Sequence, residues 1–198
     1  MAFEWLTGST PQFWKNYLSL FENENTLQKR YVVFDMETTG ADWREDVILS
    51  VGAIAVLGNA IEVGDFLSIQ IRQEKHSTQF VAHSGMLNES GDKVVEAEGV
   101  IQFINFVKDA TLVGHNINLD IEMINQALKR LDLGRLKNSI MDTNALYQRF
   151  KDLPDNSLTS LDDVCDKLKI DKNDRNTAWG NAFNTAMVFL KLKRKLNI

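Results

Sequence analysis

Two acidic residues stand at the end of an apolar run early in the chain. Asp35 and Glu37 follow residues 30–34, a short segment rich in β-branched and aromatic residues that is typical of a buried strand. Side chains two positions apart on a strand point the same way, so both carboxylates are expected together at the strand end. They would repel each other unless a cation lay between them, and oxygen ligands suit hard divalent cations. The pair indicates a metal-phosphate site, although an isolated Asp-x-Glu is more simply interpreted as two solvated carboxylates.

The three residues that follow favour the functional interpretation. Thr38-Thr39-Gly40 offers backbone amides and a glycine, which would let a ligand approach the backbone closely. Together with the two carboxylates, this tail predicts a binding site at the end of the first strand.

A third carboxylate, Asp120, is expected on the buried face of a helix. It shares a helical apolar stripe with Ile124, Leu128 and Leu131. A charge on a buried face is costly unless it is paired or bound to metal. The alternative is an exposed first-turn carboxylate, which the helix dipole would favour. His115, just before this helix, is either a substrate contact or a structural histidine.

The elements that position these residues follow from hydrophobic periodicity. A strand at 30–35 and a hairpin at 47–71 around Gly58-Asn59 predict a three-strand opening unit. Strands and helices then alternate, which predicts a mixed sheet covered by helices. The later predictions are helices at 94–108, 117–131, 143–150, 158–168 and 177–193, and short strands at 111–115 and 139–142; residues 72–92 are expected to form a loop, with or without a short helix.

Two motifs resemble those of a known family. Residues 34–40, Phe-Asp-Met-Glu-Thr-Thr-Gly, are similar to the first motif of the DnaQ-like proofreading and RNA-processing 3′→5′ exonucleases, of the type of the DNA polymerase III epsilon subunit. Val113-Gly114-His115-Asn116 through Asp120 is similar to the second motif. Residues 141–143 and 158–165 resemble the linking segments, and the resemblance covers residues 30–192. It implies a ribonuclease H-like α/β fold, with a mixed central sheet flanked by helices.

The third motif of the histidine branch, His-x-Ala-x-x-Asp-Ala, is altered in this chain. The matching residues 176–182 read Asn-Thr-Ala-Trp-Gly-Asn-Ala, so Asn176 replaces the histidine and Asn181 replaces the aspartate. An amide cannot accept a proton near neutral pH, which removes the general base. The amide of Asn181 also lacks the formal charge that a metal ligand would contribute.

The resemblance implies a site that binds two Mg²⁺ or Mn²⁺ ions. In it Asp35 bridges the ions, Glu37 helps to hold the first and Asp120 supports the second, while Asn181 occupies a ligand position and Asn176 the general-base position. The substrate contacts that it implies are Met36, Thr38, Thr39, His115 and Asn116.

Three functions remain open at the level of sequence. The first is a 3′→5′ exonuclease whose two-metal hydrolysis of phosphodiester bonds is impaired by the two asparagines. The second is an active nuclease in which another group replaces the base. The third is an inactive nucleic-acid- or nucleotide-binding module or an assembly partner. The expected ligand is a single-stranded 3′ end or a nucleotide, and the sequence does not distinguish DNA from RNA.

Composition limits the kind of protein and its surroundings. The chain has 22 Lys+Arg and 27 Asp+Glu, for a net charge of -5, which argues against binding mainly through non-specific phosphate neutralisation. Its single cysteine, Cys165, is expected in the core and rules out an internal disulfide. The absence of a signal-peptide pattern and of a membrane-length apolar stretch predicts a cytoplasmic protein that does not contact membranes.

The chain divides into two parts by pattern. Residues 1–28 are predicted to be an N-terminal helical extension, and residues 29–198 the exonuclease-like domain. Thr10-Pro11 is a good helix start, and Phe13, Trp14 and Tyr17 lie on an aromatic face. That face either packs on the domain or docks a partner protein.

Overall fold

The computed structural model describes residues 10–22, 29–73, 92–172, 174 and 177–198. These residues form five strands and six helices. In chain order the elements are α1 (Gln12–Ser19), β1 (Arg30–Thr38), β2 (Ile48–Leu57), β3 (Ala60–Gln70), α2 (Glu96–Val107), β4 (Thr111–Gly114), α3 (Asn118–Arg130), β5 (Ile140–Asp142), α4 (Thr143–Lys151), α5 (Leu161–Leu168) and α6 (Ala178–Leu196).

The strands form one mixed sheet in the order β3-β2-β1-β4-β5. Strands β1, β2 and β3 are antiparallel neighbours, whereas β4 pairs parallel with both β1 and β5. The turn between β2 and β3 contains Gly58 at φ 58°, a left-handed conformation in which glycine has no steric cost. The predicted mixed sheet flanked by helices, including the three-strand opening unit, is confirmed.

Helices cover both faces of the sheet because β1 is apolar on both. Val32 and Phe34 pack into one core with α1, α2 and α3. Tyr31 and Val33 face the other core, formed with α4, α5 and α6. Cys165 lies in this second core and is fully buried, as predicted. The central strand therefore holds its carboxyl end in a fixed position between two packed layers.

The N-terminal helix packs on the sheet domain through its aromatic face. Trp14 and Tyr17 are each 3% exposed, and their rings stack with centroids 4.8 Å apart. The hydroxyl of Tyr17 donates to Asn138 Oδ1 and accepts from the backbone N–H of Lys137, at 2.7 and 2.8 Å. These two rings are occupied inside the chain, so a partner could reach them only if α1 undocked.

Several element ends differ from the sequence prediction by a few residues. Helix α5 begins at Leu161 and not at Leu158, because the hydroxyl of Ser160 accepts from the N–H of Asp163 and caps the helix. Strand β1 and helix α6 each extend three residues beyond the predicted end. Most of the predicted 72–92 loop lies outside the described residues, as do residues 23–28 of the predicted N-terminal extension. Within the described part of the chain, no helix is long and apolar enough to cross a bilayer.

Candidate active site

Asp35 and Glu37 lie near the end of β1 on the same side of the strand. Asp35 is paired with Gly52 and Glu37 with Ser50 of the neighbouring strand. The hydroxyl of Ser50 donates to Glu37 Oε2 at 3.1 Å. Both carboxylate residues are half-buried, so they remain accessible at the C-terminal end of β1. The predicted shared orientation follows from the two-residue period of the strand.

Asp120 lies in the first turn of α3 and is only 9% exposed. It shares its face with the buried residues Ile124 and Leu128, as the helical period predicts. Burial raises the pKa of the Asp120 carboxyl well above its usual value, and the negative charges of Asp35 and Asp142 raise it further. A cation bound between Asp35 and Asp120 would remove that penalty, and without one the carboxyl tends to keep its proton.

Asn181 meets Asp35 across 146 positions of sequence. Its side-chain Nδ2 donates to Asp35 Oδ2 at 3.0 Å, from the first turns of α6. The helix start is set by Thr177, whose hydroxyl accepts from the N–H of Gly180 at 3.0 Å. The structure thus brings one of the two altered third-motif residues to β1, whereas Asn176 lies outside the described residues.

The approach of α6 to β1 and β2 depends on Gly52. A Cβ atom at this position would collide with the backbone of Ala178 and Trp179. Because Gly52 is paired with Asp35, the absence of a side chain allows the start of α6 to lie against the strand beside the carboxylate. Sequence reasoning missed this residue; a glycine within an otherwise apolar strand was the available signal.

A further carboxylate, Asp142, organises the backbone around the site. Its oxygens accept the N–H groups of Asn116, Ile117 and Asn144 at 3.0, 3.2 and 2.8 Å. Asn116 has a left-handed backbone with φ 57°, so these bonds hold a tight turn between β4 and α3. Asp142 was noted in sequence only as part of a linking segment. Its position directly before a predicted helix was a capping signal that could have identified it.

His115 is engaged on both sides of its ring. Nδ1 lies 2.9 Å from Thr143 Oγ1, and Nε2 lies 2.7 Å from the carbonyl oxygen of Thr159, to which it donates. These contacts support the structural-histidine alternative, since a proton-transfer or substrate role would have to disrupt them. Asn116, beside it, is exposed.

The first-motif residues predicted to contact substrate lie in two places, the core and the turn after β1. Met36 is 8% exposed and belongs to the core on the other face of β1. The hydroxyl of Thr39 donates to Asp46 Oδ1 at 2.7 Å, and that of Thr38 donates to the carbonyl of Gly40 at 2.7 Å. These hydroxyls shape the turn after β1, and a Cβ at Gly40 would collide with the Asp46 carboxylate. The group that lies close to the backbone of Gly40 is therefore the Asp46 carboxylate, where the sequence had predicted a ligand.

Comparison with known proteins identifies the family. A family model described as Exonuclease, of the RNase T type, matches residues 32–189. The chain belongs to the DnaQ-like exonuclease family. The resemblance to this family that the sequence motifs indicated is therefore confirmed.

Relatives of this exonuclease domain include much longer polymerases. It is 29% identical over 181 residues to the PolC-type DNA polymerase III of Caldanaerobacter subterraneus, covering 88% of this chain and 12% of the relative. It is also 29% identical over 171 residues to the PolC-type polymerase of Bacillus subtilis, covering 83% and 11%. The chain thus spans about an eighth of the length of these relatives.

Solved structures agree in fold. Escherichia coli Exonuclease I in complex with a dA16 oligonucleotide superposes with a TM-score of 0.73 at 15% identity, over 86% of this chain and 42% of that one. The complex with dT13 gives a TM-score of 0.71 at 14% identity, with the same coverage. At this level of identity the likeness shows a shared ribonuclease H-like fold.

The exonuclease domain brings its acidic residues together without forming a ready-made metal cluster. Among the described residues, no three His, Cys, Asp or Glu side chains are grouped closely enough to hold a metal ion. Asp35 and Asp120 are near enough for their charges to interact, and Asp35 accepts a hydrogen bond from a neutral amide. The carboxylate oxygens have the right chemistry for one hard cation.

Proposed function

We propose that this exonuclease domain binds the 3′ end of a single-stranded nucleic acid, or a nucleotide, with Mg²⁺ or Mn²⁺, and that it hydrolyses phosphodiester bonds weakly or not at all. The observation that carries the proposal is the hydrogen bond from Asn181 Nδ2 to Asp35 Oδ2 at 3.0 Å. Family membership supports a nuclease-type site. The amide at this position supports retained binding with impaired chemistry.

The metal part of the proposal rests on the buried carboxyl of Asp120. Its raised pKa reflects desolvation and two neighbouring negative charges, a situation that a divalent cation relieves. We propose Asp35 and Asp120, whose charges interact, as the residues that would hold such an ion, and Glu37, on the same side of β1, as a third ligand only after its side chain moves closer. It would supply positive charge to a bound phosphate, which matters for a chain of net charge -5.

The loss of hydrolysis follows from what amides cannot do. In the two-metal mechanism of this family, a carboxylate at position 181 would complete one ion site, but Asn181 offers an N–H donor to Asp35 instead. Asn176 would have to take a proton from the attacking water, which an amide does not do near neutral pH. General-base catalysis typically contributes about 10²–10⁴-fold. His115 is a poor replacement, because both of its ring nitrogens are already engaged.

The ligand class is supported by structural neighbours and by charge. The Exonuclease I structures contain single-stranded dT13 and dA16 oligonucleotides. The acidic balance of this chain favours short ends over long duplexes, because few cations are available to neutralise an extended backbone. We propose the cytoplasm as the compartment, which suits a chain with one buried cysteine.

Binding is tested with a 5′-fluorescein single-stranded oligonucleotide, measured by anisotropy in Mn²⁺ and in EDTA. We expect Mn²⁺ to tighten binding, and we expect a 3′-phosphate on the oligonucleotide or Asp35→Ala to weaken it. Equal binding in EDTA would instead favour the metal-independent binding module.

Hydrolysis is tested with the same oligonucleotide and the double variant Asn176→His, Asn181→Asp. The wild-type chain should leave the oligonucleotide nearly intact, and the double variant should shorten it from the 3′ end at least about 100-fold faster. Asp35→Ala in the double-variant background is the control for contaminating nucleases. Rapid cutting by the wild type would support an active nuclease with another base and overturn the proposed impairment.

A further inference from the structure

A concave surface lies along the part of α6 that follows Asn181. It is an open groove of about 710 Å³ between α6, the segment after α5 and the β2–β3 turn. Lys191 lies ten residues beyond Asn181 on the same helix, which corresponds to about 15 Å along the axis. The groove runs along α6 from Phe183, two residues after Asn181, to Arg194 near the C-terminal end of the helix.

The floor of this groove is an apolar stripe that none of the described residues covers completely. Phe183, Met187 and Leu190 recur on α6 at the spacing of one helical face. Met187 is 40% exposed, and the other two are only partly buried. An apolar stripe of this kind is the usual receptor for large apolar side chains of a partner.

Cations surround the apolar floor from two different elements. Lys191 and Arg194 belong to α6, whereas Lys169 follows α5. Within the part of the chain that the structure describes, none of the three forms an ion pair. Lys191 and Arg194 lie near the C-terminal end of α6 and Lys169 is the C-cap residue of α5, so two helix ends bring cations to the same groove. A local excess of positive charge on a chain of net charge -5 marks this groove as complementary to an acidic ligand.

The chemistry of the groove fits a peptide better than a nucleic acid. Its floor is largely aliphatic, whereas single-stranded nucleic acids are held mainly by stacking on aromatic rings. Asp171 also lines the groove and would repel the charge that every unit of a phosphate backbone carries, whereas a peptide can place an uncharged residue opposite it. In a peptide with alternating acidic and large apolar residues, the acidic side chains would pair with the cations and the apolar side chains would pack on the floor.

We propose that the α6 groove, lined by Phe183, Met187, Leu190, Lys169, Lys191 and Arg194, binds an acidic peptide segment of a partner protein through one or two large apolar side chains. The surface does not include Asp35, Asp120 or Asn181. The proposal is therefore independent of the nuclease-type function. It assigns this domain a means of attachment to another protein.

The test uses a short fluorescein-labelled peptide that alternates Asp or Glu with Phe or Leu. We expect it to bind with salt-sensitive affinity and to shift the methyl NMR signal of Met187. Replacing the acidic residues by Lys, or the apolar residues by Ser, should abolish both effects. Binding that survives the Ser replacement would show non-specific charge attraction and overturn the proposal.

Matched variants locate the site. Lys191→Glu with Arg194→Glu should weaken peptide binding by about tenfold or more, or about 1.4 kcal/mol. Lys129→Glu, an exposed change on α3, should leave it unchanged. Circular dichroism and the thermal midpoint of each variant establish that it is folded. Equal loss in the Lys129 variant would overturn the assignment to the groove.

Further measurements distinguish the peptide from two other possible occupants of the groove, a single-stranded oligonucleotide and a second copy of this chain. If a single-stranded oligonucleotide shifts the Met187 methyl and competes with the peptide, the groove belongs to nucleic acid. If the chain alone self-associates and Met187→Glu abolishes this, the groove is an interface between two copies. Either result would overturn the peptide proposal.

Discussion

The side-chain amide of Asn181 donates a hydrogen bond to the carboxylate of Asp35 at 3.0 Å. This contact joins the start of α6 to the end of β1 and places a neutral donor beside a carboxylate predicted to bind metal. A neutral amide satisfies Asp35 without a cation. The same contact therefore stabilises the metal-free protein and argues against catalysis by two bound metal ions.

Restoring the carboxylate at position 181 should make stability depend on metal. Asn181→Asp places another negative charge beside Asp35, so we expect its thermal midpoint in EDTA to fall below that of the wild type. Adding Mn²⁺ should raise the midpoint of the variant more than that of the wild type. Asn16→Asp, an exposed change on α1, is the control. An equal response to Mn²⁺ in both proteins would mean that position 181 does not take part in metal binding.

The buried Asp120 should make metal-free stability fall as pH rises. A carboxyl with a raised pKa contributes stability below its unfolded value of about 3.8, and that contribution is lost as pH rises through the folded-state pKa. In EDTA, Asp120→Asn should therefore be more stable than wild type at neutral pH, and the difference should shrink toward pH 4. Urea unfolding across this range measures it. Gln12→Ala, an exposed change on α1 that removes no titratable group, is the control.

Gly52 should be required for the position of α6. Gly52→Ala introduces a methyl group into the backbone of Ala178 and Trp179, which must move away from β2. We expect lower stability, because the start of α6 would lose its packing on β2 and the hydrogen bond from Asn181 to Asp35 would break. Gly64→Ala is the matched control, since a Cβ there meets no atom within 4 Å. Identical behaviour of the two variants would contradict this account.

Asp142 should act by holding the β4–α3 turn. Asp142→Ala leaves the N–H groups of Asn116, Ile117 and Asn144 without their acceptor and should lower the free energy of unfolding by about 1–3 kcal/mol. Asp142→Asn keeps one acceptor oxygen and should fall between Ala and wild type in urea titrations. Unchanged stability of the Ala variant would show that water replaces these bonds.

The N-terminal helix should contribute to the stability of the sheet domain. Trp14→Ala removes a side chain that is 3% exposed in the core and should cost about 3–5 kcal/mol. Gln12→Ala, on the exposed side of α1, is the control. If the thermal midpoint is unaffected by Trp14→Ala, residues 1–28 form an extension that unfolds independently of the rest.

Hydrophobic periodicity and two motifs were enough to predict the secondary-structure elements and the family. Strand β1, the hairpin around Gly58 and the buried face of Asp120 follow from local periodicity, because neighbouring residues fix which side chains share a face. The motifs containing Asp35 and Asp120 were specific enough to predict the ribonuclease H-like fold. The third motif, with Asn176 and Asn181, raised the question of impaired chemistry from sequence alone.

The contacts between distant residues could not be predicted from local patterns. The Asn181–Asp35 contact, the close passage of α6 over Gly52 and the role of Asp142 all join segments far apart in the chain. The tertiary structure also places both ring nitrogens of His115 against other segments, whereas the sequence left open whether this residue contacts substrate or is structural. Such contacts depend on packing between whole elements, and local periodicity carries no information about which backbone will lie against which side chain.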